Sequence, residues 1–202
     1  MEATLNAFED RNLPFAGLGR SLEEARRPTY VDTPAGRVGL VAACSTISPG
    51  THAGPASDEV PGRPGVAPLR LESQYVVPEE WHEHLTELSE ELGLEAIKQW
   101  RKEAGIPTPD DGFTLLNADA LAFTNAEEFH LKFEVGDEFA IERRPKQMDV
   151  DALRKQVQQA NRQADWVLVS LHSHEGSGAR INDPSIPEFL KDVARGRVDA
   201  GA

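Results

Sequence analysis

The chain has 202 residues, 39% of them hydrophobic and 27% charged, which suits one ordinary domain with a core and excludes disorder on composition. Its 34 acids and 21 bases leave a net charge of -13, which excludes a sequence-independent grip on nucleic acid and an electrostatic hold on an anionic membrane. A single cysteine, Cys44, excludes an internal disulfide and a cysteine-based zinc site. Lysine supplies only six of the bases and arginine fifteen, a balance that suits a surface kept solvated in strong salt.

Residues 1–10 lack the basic n-region and the apolar stretch of a signal peptide, and no run in the chain approaches the ~20 apolar residues of a membrane helix. As it stands the chain reads as soluble and cytoplasmic. The opening residues predict an amphipathic helix with Leu5 and Phe8 on one side, and residues 13–17 a short buried strand. Ser21-Leu-Glu-Glu24 has capping-box spacing and opens a brief helix through Arg27. Residues 29–32 and 37–43 flank the turn signal Thr33-Pro-Ala-Gly36 and predict a hairpin whose second, nearly all-apolar strand lies in the interior.

Residues 45–68 form a long loop with five prolines and four glycines. Residues 71–77 predict a strand, and Pro78 opens a long helix to about Ala104, with Trp81, Leu85, Leu88, Leu92, Ile97 and Trp100 as its apolar stripe. Gly93 is placed to divide it. Residues 129–135 alternate as a half-buried strand does. Residues 149–164 predict a helix, 166–171 a buried apolar strand, and 185–195 a last helix. Helix, strand and loop in that order are the local pattern of an α/β fold, in which ligands sit beyond the C-terminal ends of central strands.

That rule puts weight on Ser170-Leu-His172-Ser-His174-Glu175-Gly176. Imidazole and carboxylate suit Zn, Mn or Fe, and residues two apart in an extended segment point the same way, so His172, His174 and Glu175 are candidate metal ligands. The alternative is a pair of loop histidines, one hydrogen-bonded and one solvated. Arg63 and Arg70, around Pro64-Gly65-Val66, are candidates for holding an anionic substrate, with loop salt bridges as the alternative. Gly17-Leu-Gly19 lacks the rest of any phosphate-binding fingerprint and reads as a tight turn. His82 and His84 do not share a helix face, and Cys44 reads as a small core residue.

Several stretches together resemble the CapA family of capsule and poly-gamma-glutamate synthesis proteins. They are Asn12-Leu-Pro-Phe-Ala-Gly-Leu-Gly-Arg20 with Glu24-Ala25 and Pro28, Gly36-Arg-Val-Gly-Leu-Val-Ala-Ala43 with Ser45-Thr46, Pro64-Gly-Val-Ala-Pro-Leu-Arg70, and Ala164-Asp-Trp-Val-Leu-Val-Ser-Leu-His-Ser-His-Glu175. The resemblance runs over residues 1–78 and 149–202, with 79–145 as a variable insertion in one partial CapA-like domain.

The resemblance implies an α/β (α+β) chain, part of a metallophosphoesterase-like layered β-sandwich flanked by helices. It also implies a divalent metal (Mn, Zn or Fe) in the complete family site, with His172 as the best-matched ligand and His174 and Glu175 as ligands or lining. The family carries its Asp-x-His strand and its Gly-Asp and Asn-His turns before the segment matching Met1 and its Gly-His-x-x-His motif after the one matching Val198-Asp-Ala-Gly-Ala202, so none of them falls within the resemblance. Both ends of the chain therefore read as cut, the last at Val198-Asp-Ala-Gly-Ala202, and most of the metal site as lying elsewhere.

The expectation is thus a fragment, inactive alone, of a metal-dependent phosphoesterase-like hydrolase whose family often works outside the membrane behind an anchor. An anionic polymer, a small phosphorylated substrate or other capsule-synthesis subunits are its expected partners. The alternatives are a non-catalytic binding or scaffold module, using loop 48–68 and the 79–145 insertion, and an inactive remnant.

Overall fold

The computed structural model describes residues 1–48, 50–105, 113–116, 130–176 and 185–198. The closing residues 199–202 lie outside these, as do parts of the expected insertion. The contacts divide the chain into two units, one of residues 1–72, 144–177 and 184–202, the other of 73–143 and 178–183.

The first unit is built on a three-stranded sheet. Strand β2 (Thr29–Thr33) and strand β3 (Gly36–Cys44) form the expected antiparallel hairpin, and β9 (Trp166–His172) lies parallel to β3 on its other side. The apolar run 36–44 thus occupies the central strand, as its composition requires. Helix α5 (Gln147–Asn161) supplies the crossover and packs on one sheet face through Val150, Leu153, Val157 and Ala160, with Val193 of helix α6 (Glu188–Val198) beside them. Gly39 permits the close approach: a Cβ there would stand 3.3 Å from the side chains of Ala160 and Ala164. The fold class is α/β, as expected.

Helix α1 (Glu2–Glu9) buries Leu5, and short α2 (Leu22–Arg26) begins as its capping spacing predicts. The Ser21 hydroxyl accepts from the Glu24 amide at 3.2 Å, while the Glu24 carboxylate reaches back past the cap to the Arg20 amide at 2.8 Å. Residues 13–17 are not the expected strand. Leu13 is exposed and its amide bonds back to Phe8, whose ring meets Phe15 at 5.3 Å, so this segment folds onto α1 instead of joining a sheet. The strand comes just after it, as β1 (Leu18–Gly19) paired with β4 (Gly65–Val66). Gly17 takes φ +81°, the turn geometry expected there.

The second unit carries most of β5 (Leu71–Val77) in a four-stranded sheet of order β6-β7-β5-β8. Strand β7 (His130–Val135) matches the alternation in the sequence, whereas β6 (Phe113–Leu116) and β8 (Ala140–Pro145) had no such signal. The helix after Pro78 is two helices, α3 (Glu79–Glu91) and α4 (Leu94–Glu103), parted at Gly93 with φ +67° as expected. Four residues of its apolar stripe lie at the surface: Trp81, Leu88, Leu92 and Trp100 are each about half exposed or more.

A second correction concerns β9. The sequence 166–171 reads as a strand buried on both faces, but β9 ends the three-stranded sheet and alternates: Val167, Val169 and Leu171 face the core, while Trp166 and Leu168 are 66% and 59% exposed. Helices cover only one face of this sheet among the described residues, so half of an apolar strand remains outside.

Candidate metal centre

Strands β3 and β9 run parallel and end level, with Cys44 paired to His172, so both C-terminal ends open at one place. Ser45 continues the pairing, its amide donating to the His172 carbonyl at 2.9 Å. The segment after β9 then folds over this junction. The Thr46 hydroxyl accepts from the His174 amide at 2.7 Å, and the Glu175 carboxylate accepts from Ser45 Oγ at 2.6 Å, Ser173 Oγ at 2.5 Å and Thr46 Oγ1 at 2.9 Å. Burial opposes the charge on Glu175, but these three hydroxyl donors outweigh it and hold the carboxyl below its ordinary value.

That brace sets the two histidines. Their Nε2 atoms face each other 3.0 Å apart, with ring centroids at 4.6 Å, and both side chains are exposed. Alone, one ring must carry a proton there for the other to accept it. The separation is also that of two imidazoles on one ion, since bonds of about 2.0–2.1 Å place neighbouring ligand nitrogens about 2.9–3.4 Å apart. His172 and His174 therefore fit as a ligand pair for a borderline divalent metal. Glu175, expected as a ligand or as lining, accepts from hydroxyls at both oxygens and braces the turn. Among the described residues no three His, Cys, Asp or Glu side chains converge as a metal-binding group.

Cys44, half-buried, turns its Sγ to the Thr46 carbonyl at 3.2 Å, and burial pushes its thiol up, away from the reactive thiolate.

The two expected anion-binding arginines do different things. Arg70 is bidentate to Asp149, Nε to Oδ2 at 2.8 Å and Nη2 to Oδ1 at 2.9 Å, and its backbone amide adds a third bond at 2.9 Å. Asp149 is wholly buried in the first turn of α5, and Arg26 from α2 binds it as well. Burial pulls the Arg26 guanidinium below its usual value against the attraction of Asp149. Arg63 instead lies over His52 beside a cleft.

Sequence reasoning assigned no role to Ser45, Thr46, Ser173, Asp149 or Arg26. A hydroxyl pair directly after an apolar strand was the available signal for the first two. Nothing local marks an aspartate whose partners lie 79 and 123 residues away.

A parallel βαβ unit with a histidine pair at its strand ends defines the class: an α/β protein with a candidate ligand site at the carboxyl edge of its sheet. The family profile described as "Bacterial capsule synthesis protein PGA_cap" matches residues 1–202, and the chain belongs to that family. It is 27% identical over 204 residues to each of two proteins of Sinorhizobium fredii (strain NBRC 101917 / NGR234), described as uncharacterized proteins y4sH and y4uA. The match takes in all of this chain and 39% of either relative, so the chain spans about two fifths of their length. No helix among the described residues is long and apolar enough to cross a membrane.

Proposed function

We propose that this chain contributes part of the metal centre of a phosphoesterase-like hydrolase acting in capsule synthesis. The observation that carries the reading is the facing of His172 and His174 Nε2 at 3.0 Å on the carboxyl edge of the sheet. These two rings would hold a divalent metal (Mn, Zn or Fe), which when bound supplies a Lewis acid and an activated water for hydrolysis. Further ligands would come from chain of the kind the longer relatives contain beyond the matched segment. Ser45, Thr46 and Ser173 keep Glu175 ionised, and Glu175 in turn fixes the turn that aims both rings.

The substrate of this reading is a phosphorylated small molecule or an anionic polymer, handled with other capsule-synthesis subunits. The acid-rich, lysine-poor surface favours work in strong salt.

The test is Zn²⁺ and Mn²⁺ titration of this chain and of a protein of the relatives' length, each as wild type and as His172→Ala and His174→Ala. The long protein should bind tightly and hydrolyse a phosphodiester probe, the short chain should bind weakly, and either alanine should cost at least tenfold in affinity. An affinity unmoved by His172→Ala refutes the assignment.

A further inference from the structure

Helix α3 of the second unit carries three parallel rows of side chains, and the apolar one faces outward. Trp81, Leu85, Leu88 and Leu92 recur at steps of four, three and four, which aligns them along one side of the helix over about 16 Å. Leu85 is half-buried, and the other three are exposed. The least exposed row lies one residue further on, at His82, Thr86 and Ser89, and it is polar: Ser89 is the residue this helix buries, at 1% exposure. An amphipathic helix that serves only its own core does the reverse.

The third row lies one residue back, about 100° round the helix, and consists of Glu80, His84, Glu87 and Glu91, all exposed. Glu80, Glu87 and Glu91 make no ion pair and no side-chain hydrogen bond among the described residues. At the start of the apolar row Trp81 is held by two rings. Phe139, just before β8, meets it edge-on at 5.8 Å and 71°, and His84 at 6.2 Å and 90°. Phe139 is itself exposed, so the ring pair widens the apolar surface there. A contiguous apolar surface with a fixed Trp at one end and a polar rim has the form of a protein contact.

The carboxylate row decides what covers it. An anionic membrane would meet three unpaired carboxylates, and a second copy would set carboxylate against carboxylate in a chain of net charge -13. A cationic partner gains from both rows. A straight apolar row at helical spacing receives the matching row of another helix, ridge into groove, and its flank is then placed for that helix's Lys or Arg.

We infer that this face of α3 docks a basic amphipathic helix of a partner protein, with the partner's apolar stripe against Trp81, Leu88 and Leu92 and its cations on Glu80, Glu87 and Glu91. The inference draws on no residue of the histidine site and stands apart from the metal-centre reading.

The experiment is fluorescence anisotropy with a labelled helical peptide of leucine and lysine, about 18 residues long, its leucines at helical spacing. It is added to the full chain at a salt concentration where circular dichroism shows the chain folded. On wild type it should bind at least tenfold more tightly than a scrambled peptide of the same composition, or than the same helix with glutamate for lysine. Leu88→Gln with Leu92→Gln should cost at least tenfold, and so should Glu80→Lys, Glu87→Lys and Glu91→Lys together. Asp10→Lys, Asp58→Lys and Glu59→Lys together shift the net charge equally and should leave affinity within about threefold. All these positions are exposed, and the peptide comparison on wild type stands whether or not a variant folds. Equal binding of the scrambled peptide, an equal loss in the Asp10, Asp58 and Glu59 set, or no loss in the Leu88 and Leu92 pair each overturns the assignment. Tighter binding to phosphatidylglycerol vesicles than to the peptide also overturns it, as does a dimer in sedimentation that the Leu88 and Leu92 pair dissolves.

Discussion

Arg70 clasps Asp149 with both arms of its guanidinium and with its own backbone amide, so one wholly buried carboxylate joins the chain entering β5 to the first turn of α5. Arg26 of α2 completes the group, and the helix end adds its own partial positive charge. Removing the carboxylate leaves two arginines, 18% and 31% exposed, facing each other across its place. Asp149→Ala should therefore cost about 3 kcal/mol, measured by denaturant unfolding. Asp149→Glu should not restore it, because the longer side chain cannot keep the bidentate geometry. A loss below about 0.5 kcal/mol would show the group to be dispensable.

Glu175 makes the turn after β9 sensitive to acid. Its carboxyl sits below the ordinary 4.5, so it is more easily ionised folded than unfolded, and its stabilisation is present above that value. As pH falls through the lower folded value the stabilisation is lost. Thermal unfolding of wild type and Glu175→Gln should differ by a constant amount above about pH 5, and the gap should close towards pH 3. A gap that is the same at both ends would place the carboxylate outside the network.

Gly65 meets the backbone of His52 and Ala53, where a Cβ would lie 2.3 Å from main-chain atoms that cannot swing aside. Gly65→Ala should destabilise the protein by about 1–3 kcal/mol and loosen the 45–68 loop. Gly50, whose added Cβ would meet nothing within 4 Å, is the control for space, with its own cost set by φ +75°. Hydrogen exchange across residues 50–66 is the measurement, and faster exchange should follow Gly65→Ala but not Gly50→Ala.

The surface charge predicts a dependence on salt. With 34 acids and only six lysines, repulsion among carboxylates is strongest when counterions are scarce. Circular dichroism should report loss of structure as salt is diluted from molar to low concentration. Spectra that do not change would refute the high-salt reading.

Elements with a local cause were legible in the chain: the capped start of α2, the hairpin across Thr33–Gly36, the strand Leu71–Val77 and the break at Gly93 each rest on residues within a few positions of one another. The family was legible for a related reason, since its motifs are short runs such as the one ending in His172 and His174. The segment 13–17 was misread because an apolar run carries no sign of whether it will pair or fold back on a neighbouring ring.

The exposure of Trp166 and Leu168 depends on how many layers cover the sheet, which only packing decides. The roles of Glu175 and Arg70 depend on hydroxyls 129 and 130 residues away and a carboxylate 79 residues away. The sequence by itself determined the charge, the local elements and the candidate ligands, because those follow from neighbours along the chain. The tertiary structure alone decided which candidates meet. It faced the two histidines, tied Glu175 to the hydroxyls of Ser45 and Thr46, and gave Arg70 to a buried aspartate while bonding Arg63 to His52.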